Sequence, residues 1–217
     1  MWALLWKDFT IELRTREGVS SLLVLGLLVI LVFAFALGPA GLQAEGLDAA
    51  FLWVALLFAG MLGIQRSFVL EQERGCLLGL LLCPVDRGTL FLAKVVGNLA
   101  LLTVLQLALI PMGVAFLGLP PARAFLLLPG ALFLGTLGFA ALGTLFSAVA
   151  VRVRAREVML PLLLLPLLVP VSLAVVKVSE AVLAGAGWGG VWLRVLVAVD
   201  VIYVVAGWLL FEEVVQE

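Results

Sequence analysis

Apolar residues along this chain fall into long runs, each closed by glycine, proline or charge. A bilayer span needs about 20 mostly apolar residues. Six runs come close to that: 19–37, ended by Gly38-Pro39; 49–64, stopped by Gln65-Arg66; 95–117, stopped by Gly118 and Pro120-Pro121; 125–151; 158–176, carrying Pro161, Pro166 and Pro170; and 191–211, ended by Glu212-Glu213. Ahead of them, Trp2, Leu5, Trp6, Phe9 and Leu13 recur at helical spacing, while Lys7, Asp8, Glu12 and Arg14 lie largely off that face. Such a segment rests in the membrane interface with its Trp rings at headgroup depth. The pattern predicts an elbow helix over 1–17 that steers the first span. That first run is long enough to cross, and no Ala-x-Ala site follows it closely, so it reads as a span and not as a cleaved signal.

Composition supports the same class. Hydrophobic residues make up 65% of the 217 positions, against about 45–50% in a soluble domain. Mean hydropathy is +1.30. A water-facing surface cannot be covered from that inventory, whereas lipid accepts it. The expected fold is therefore an all-α integral membrane bundle with six transmembrane helices in a single domain over 1–217. The net charge is −1 and no basic stripe is visible, which sets nucleic acid aside.

Charge position matters more than net charge, because Lys and Arg accumulate on the cytoplasmic side. With the N-terminus inside, the inner segments hold Lys7, Arg14, Arg16, Arg66, Arg74, Arg87, Lys94, Arg152, Arg154 and Arg156. The outer segments hold only Arg123, Lys177 and Arg194. Both termini are therefore expected in the cytoplasm. The outer connections, 39–48, 118–124 and 178–190, leave no room for an external domain. The long inner connection, 66–94, carries a charged patch at Glu71, Glu73 and Arg74, then Gly75 and the apolar run 77–82. Cys83-Pro84 and a turn at Asp86-Arg87-Gly88 follow, with Lys94 at the mouth of the third span. The run 77–82 is too short to cross. It needs burial against the membrane surface or against a partner, and spacing alone does not choose between them. Cys76 and Cys83 match no zinc spacing and read as small apolar helix residues.

Polar residues inside spans are the remaining candidates. Asp200 falls near the middle of the sixth run, and a carboxyl at that depth is costly and a functional hypothesis by default. Lys177 is a candidate cross-helix partner for it. Asn98 and Gln106, in the third run, are candidate interhelical hydrogen bonders. Pro161, Pro166 and Pro170 are expected to kink the fifth span, tolerated where neighbours satisfy the freed carbonyls. Gly135, Gly138 and Gly143 permit close helix approach. There is no G-x-x-x-x-G-K-[ST] loop, so ATP hydrolysis would have to come from another polypeptide. The chain has no His, the commonest haem axial ligand, and no nucleophile–base or paired-carboxylate set. It reads as a non-catalytic subunit that binds no cofactor itself.

Two stretches resemble known families. The pattern E-x-x-x-G-x-L-x-x-L-L-x-x-P-V-x-R, here Glu71, Gly75, Leu77, Leu80, Leu81, Pro84, Val85 and Arg87, resembles the cytoplasmic coupling helix of ABC-2-type exporter permeases. The resemblance implies that Arg66–Lys94, with Glu73 and Arg74, docks into a groove on an ATP-hydrolysing subunit. Farther on come L-G-T-x-G-F from Leu134, G-T-L from Gly143, an Arg-rich turn, and L-P-L-L-x-x-P-L-x-x-P from Leu160 to Pro170. This is similar to CcmB, a membrane component of the haem exporter of bacterial cytochrome c maturation, in the bacterial inner membrane. The similarity runs from the elbow helix to the fifth span, and the last span adds no motif. It implies partners: a CcmA-like ATPase that holds ATP, CcmC-like and CcmD-like membrane subunits, and a CcmE-like chaperone, with haem on partner subunits. Two copies of the chain, or this chain with another membrane subunit, would sit above the ATPase. The output would be release of the haem-loaded chaperone or export of haem. Two further readings stay open, a general ABC-2 permease for a lipid, drug or polysaccharide and a non-transporting membrane scaffold. An integral-membrane enzyme is a weaker fourth.

Overall fold

The computed structural model describes residues 16–41, 46–73, 87–150, 156–188 and 190–216. Every regular element among them is helical: α1 (Arg16–Gly41), α2 (Leu47–Glu73), α3 (Arg87–Phe116), α4 (Pro121–Leu126), α5 (Leu128–Ala150), α6 (Arg156–Ala184) and α7 (Val191–Gln216). All but the short α4 are long and apolar enough to cross a bilayer. The protein is thus a six-span, multi-pass membrane protein. The segment 1–15 of the predicted elbow lies outside the described residues, and Arg16 and Glu17 open α1 itself.

Local chemistry explains most helix ends. In α1 the helical backbone breaks at Gly38, with φ 62° and ψ −178°. Pro39 follows, so position 38 needs a residue that tolerates positive φ before a proline, and glycine does. The predicted start of the fourth span at 125 is corrected. Pro121 begins the separate helix α4, and the span starts at Leu128, whose neighbour Pro129 sits in the first turn where no amide partner is needed. The fifth span ends later than its expected boundary at 176, because α6 runs on to Ala184. Lys177 and Glu180 pair along it at 2.8 Å, and Val178, Val182 and Leu183 are buried.

Gly185, at φ 86°, then closes α6. The Ala186 amide donates to the Ala181 carbonyl at 2.9 Å and the Gly185 amide to Val182 at 3.2 Å. That is the paired-bond C-terminal cap that a left-handed glycine permits. Arg123 of α4 donates to the Leu183 carbonyl at 2.7 Å, satisfying another open acceptor.

The third helix begins at Arg87, earlier than the expected 95. Phe91 is fully buried there and meets Phe211 of α7 at 5.4 Å between ring centroids. Lys94 is consequently not at a mouth but two turns inside α3, and buried. The turn expected at Asp86-Arg87-Gly88 is corrected likewise, since Arg87 and Gly88 are helical.

The spans divide into a centre and a periphery. In α5 and α2, 67% and 61% of the most apolar stretch is buried within the chain, against 17% in α1 and α7. Small residues let the central helices meet. A Cβ on Gly60 of α2 would stand 2.5 Å from Leu102 and 2.7 Å from Phe139, and one on Gly143 of α5 would stand 2.7 Å from Ile64. Between helices in lipid the gain comes from close contact and hydrogen bonding, not from expelling water, so this approach matters.

Candidate functional site

Polar groups inside the membrane cluster along α5. On one side, α3 presents Asn98, whose Nδ2 donates to Thr144 Oγ1 of α5 at 2.8 Å, both residues buried. Farther along α3, Gln106 Nε2 reaches the Pro129 carbonyl at a long 3.4 Å, and its Oε1 has no partner among the described residues. These contacts tie α3 to α5 by the ordinary means open to amides in lipid.

The other side of α5 is different. Asp200 of α7 is 2% exposed, and its carboxyl lies directly over Gly138 of α5. A Cβ at position 138 would collide with Asp200 Oδ1 and come within 3.3 Å of Val171 of α6. Glycine is therefore the residue that allows α5, α6 and α7 to meet at this depth. Neither carboxyl oxygen of Asp200 has a hydrogen-bond partner among the described residues. The predicted cross-helix pair with Lys177 is not formed: Lys177 Nζ is taken by Glu180 Oε2 at 2.8 Å on its own helix. Asp200 also walls a cavity of about 250 Å³, open along one side and lined otherwise by Leu134, Leu137, Val197, Val201, Val204 and Val205. A buried carboxyl without a donor is a costly arrangement, and such sites in spans call for a functional account.

One turn on from Asp200, Tyr203 donates its hydroxyl to the Leu167 carbonyl of α6 at 2.5 Å. Leu167 sits between Pro166 and Pro170, and all three predicted prolines lie inside α6. Pro111, inside α3, is a further in-helix proline that the sequence pattern does not single out. Tyr203 is likewise absent from the sequence-based candidates. The signal that could have found it is that it is the chain's sole tyrosine, three positions after the intramembrane acid.

The coupling-region candidates divide by position. Arg66 is exposed two turns before the end of α2, its guanidinium over Gly18 of α1, where a Cβ would stand 3.3 Å from Cζ. Glu71 and Glu73 belong to the last turn of α2, and Arg87 opens α3. Arg74, Gly75, Leu77, Leu80, Leu81 and Pro84 lie outside the described residues, as do Cys76 and Cys83. Thus α2 ends and α3 begins at the end of the bundle that carries Arg66, Gly88 and Trp208. At that end a Cβ on Gly88 would collide with Trp208. Among the described residues no three His, Cys, Asp or Glu side chains come together as a metal-binding group.

Comparison with known proteins fits this architecture. A family model described as CcmB protein matches residues 1–212. The Heme exporter protein B of Rhodobacter capsulatus is 34% identical over 170 residues, 78% of each chain. That of Pseudomonas aeruginosa is 30% identical over 197 residues, 90% of this chain and 88% of the relative. That of Paracoccus denitrificans is 33% identical over 186 residues, 86% and 84% of the two chains. With the match running through all six spans, the chain belongs to the CcmB protein family.

Proposed function

We propose that this protein is the permease subunit of an ATP-driven haem-exporter complex serving cytochrome c maturation. The observation that carries this is the family match over 1–212 on a six-span bundle. It acts without hydrolysing ATP itself, since its sequence holds no phosphate-cradling loop. A partner ATPase engages the connection between α2 and α3. Glu71 and Glu73 at the end of α2, and Arg87 at the start of α3, frame that connection. A push on it reaches both a central helix, α2, and α3, which packs on α7 through Phe91 and Phe211. Haem and ATP are carried by partner chains, and the output is haem delivery, either as export or as release of a haem-loaded chaperone. The excess of Lys and Arg on the connections at the Arg66 end supports placing that end in the cytoplasm of a bacterial inner membrane.

The test is affinity purification of the chain in mild detergent, with mass spectrometry of what accompanies it. An ATPase together with a second, haem-handling membrane subunit is the expected result. Recovery of an ATPase alone would move the assignment to a general exporter, and recovery of none would leave a scaffold. Charge reversal at Glu71 or Glu73 is expected to weaken ATPase recovery. Unchanged recovery and unchanged coupled ATP hydrolysis would remove these two residues from the docking role.

A further inference from the structure

Proline removes an amide donor and its ring presses on the carbonyl four residues earlier. In α6, Pro161, Pro166 and Pro170 so leave the carbonyls of Glu157, Leu162 and Pro166 without their usual helical donor. Lipid offers no water to replace it, and neighbouring helices must hold such a turn together. The two halves of α6 are held very differently. From Val171 onward, Val171, Ala174, Val175, Val178, Ser179, Val182 and Leu183 are buried, and the end is fixed by the Gly185 cap and by Arg123 on the Leu183 carbonyl. From Pro161 to Pro170, only Leu164 and Leu168 are buried, while Leu162, Leu163, Leu165, Leu167 and Val169 are exposed. The boundary between the anchored half and the loosely packed half falls at Pro170.

At that boundary α7 reaches across. Tyr203 donates to the Leu167 carbonyl in the turn that Pro166 and Pro170 weaken. One turn away, Val171 of α6 and Asp200 of α7 both lie over Gly138 of α5. We propose that Tyr203 is a positioning residue: it ties α7 to the proline turn of α6 and makes Pro166–Pro170 a hinge that swings the 161–170 half only when Tyr203 releases Leu167. The tie stands on geometry of the spans alone and does not depend on which cargo or partner the complex handles.

The test is a double-mutant cycle on the full chain in detergent, with Tyr203→Phe, Pro170→Ala and the double variant, read by hydrogen–deuterium exchange over 162–176. Loss of one interhelical bond in a membrane protein corresponds to roughly a threefold effect. Tyr203→Phe should therefore speed exchange in 162–169 about threefold or more, with α2 and α5 unchanged. Pro170→Ala restores an amide and should slow exchange there. In the Pro170→Ala background, Tyr203→Phe should then change little. Equal effects of Tyr203→Phe in both backgrounds would overturn the hinge, because they would make the hydroxyl an ordinary surface contact. No change in exchange over 162–169 in Tyr203→Phe, or in Pro170→Ala alone, would overturn it as well.

Discussion

The two seams of α5 are built from similar material and end in opposite states. Toward α3, Asn98 and Thr144 satisfy each other at 2.8 Å. Toward α7, Asp200 presses on Gly138 and makes no hydrogen bond of good geometry among the described residues. A matched amide–hydroxyl pair gives a helix contact that has no reason to open. An unmatched carboxyl, nearly two turns away along α5, gives one whose closed form is costly. The first seam is what a fixed scaffold needs, and the second is where a moving part belongs. Burial agrees, since α2 and α5 form the centre while α7 is mostly exposed to its surroundings.

Four changes test this contrast, in falling order of size. Gly138→Val drives a branched side chain into Asp200 and Val171, and overpacking of this kind costs about 1–3 kcal/mol. Thermal unfolding in detergent should show the largest loss of the set, with α7 the first element to lose protection. Asp200→Leu should go the other way. Replacing a buried ionisable group by an apolar one of similar size is often neutral or stabilising by about 1 kcal/mol or more. A lowered midpoint would mean that the carboxyl is satisfied after all and that the two seams are alike. Its coupled ATPase activity in the assembled complex should nevertheless fall.

The Asn98–Thr144 pair supplies the reference. A cycle of Asn98→Ala, Thr144→Ala and the double variant should give a coupling of about 0.6 kcal/mol, the average for such bonds in membranes. Zero coupling would remove the pair as the scaffold's fastener. Last, a Cβ added at Gly97 of α3 meets nothing within 4 Å. Helix propensity then decides for Gly97→Ala, and stability should hold or rise by under about 1 kcal/mol. A loss there, measured beside Gly138→Val, would show that glycine-to-larger changes hurt indiscriminately and would blunt the argument from close approach.

Much of the fold is legible in sequence because lipid imposes a simple rule. A backbone in hydrocarbon must satisfy its own hydrogen bonds, so apolar runs of sufficient length are helices. Gly38-Pro39, Gly118 and Pro120 mark breaks correctly for the same backbone reason. Two of the misjudged ends are those where a polar residue falls inside a folded helix. Glu180 falls in an expected loop but pairs with Lys177 along α6, and Lys94 falls at an expected mouth but is buried two turns into α3. The coupling motif is legible as a sequence pattern, and most of it, 74–86, lies outside the described residues.

The class, the number of spans, the intramembrane position of Asp200 and the family resemblance can all be read from the linear pattern. These depend on composition, run length and local motif. Which polar residue meets which was decided by the tertiary structure. Nothing in the spacing of Asp200 and Lys177 says that the lysine turns to its own helix. Nor does it say that the acid lands on Gly138, or that the chain's sole tyrosine finds a proline-weakened turn. Partners across helices are fixed by packing angles and small-residue contacts between segments far apart in sequence. A one-dimensional pattern carries the polarity of each residue but not the rotation of the helix that presents it.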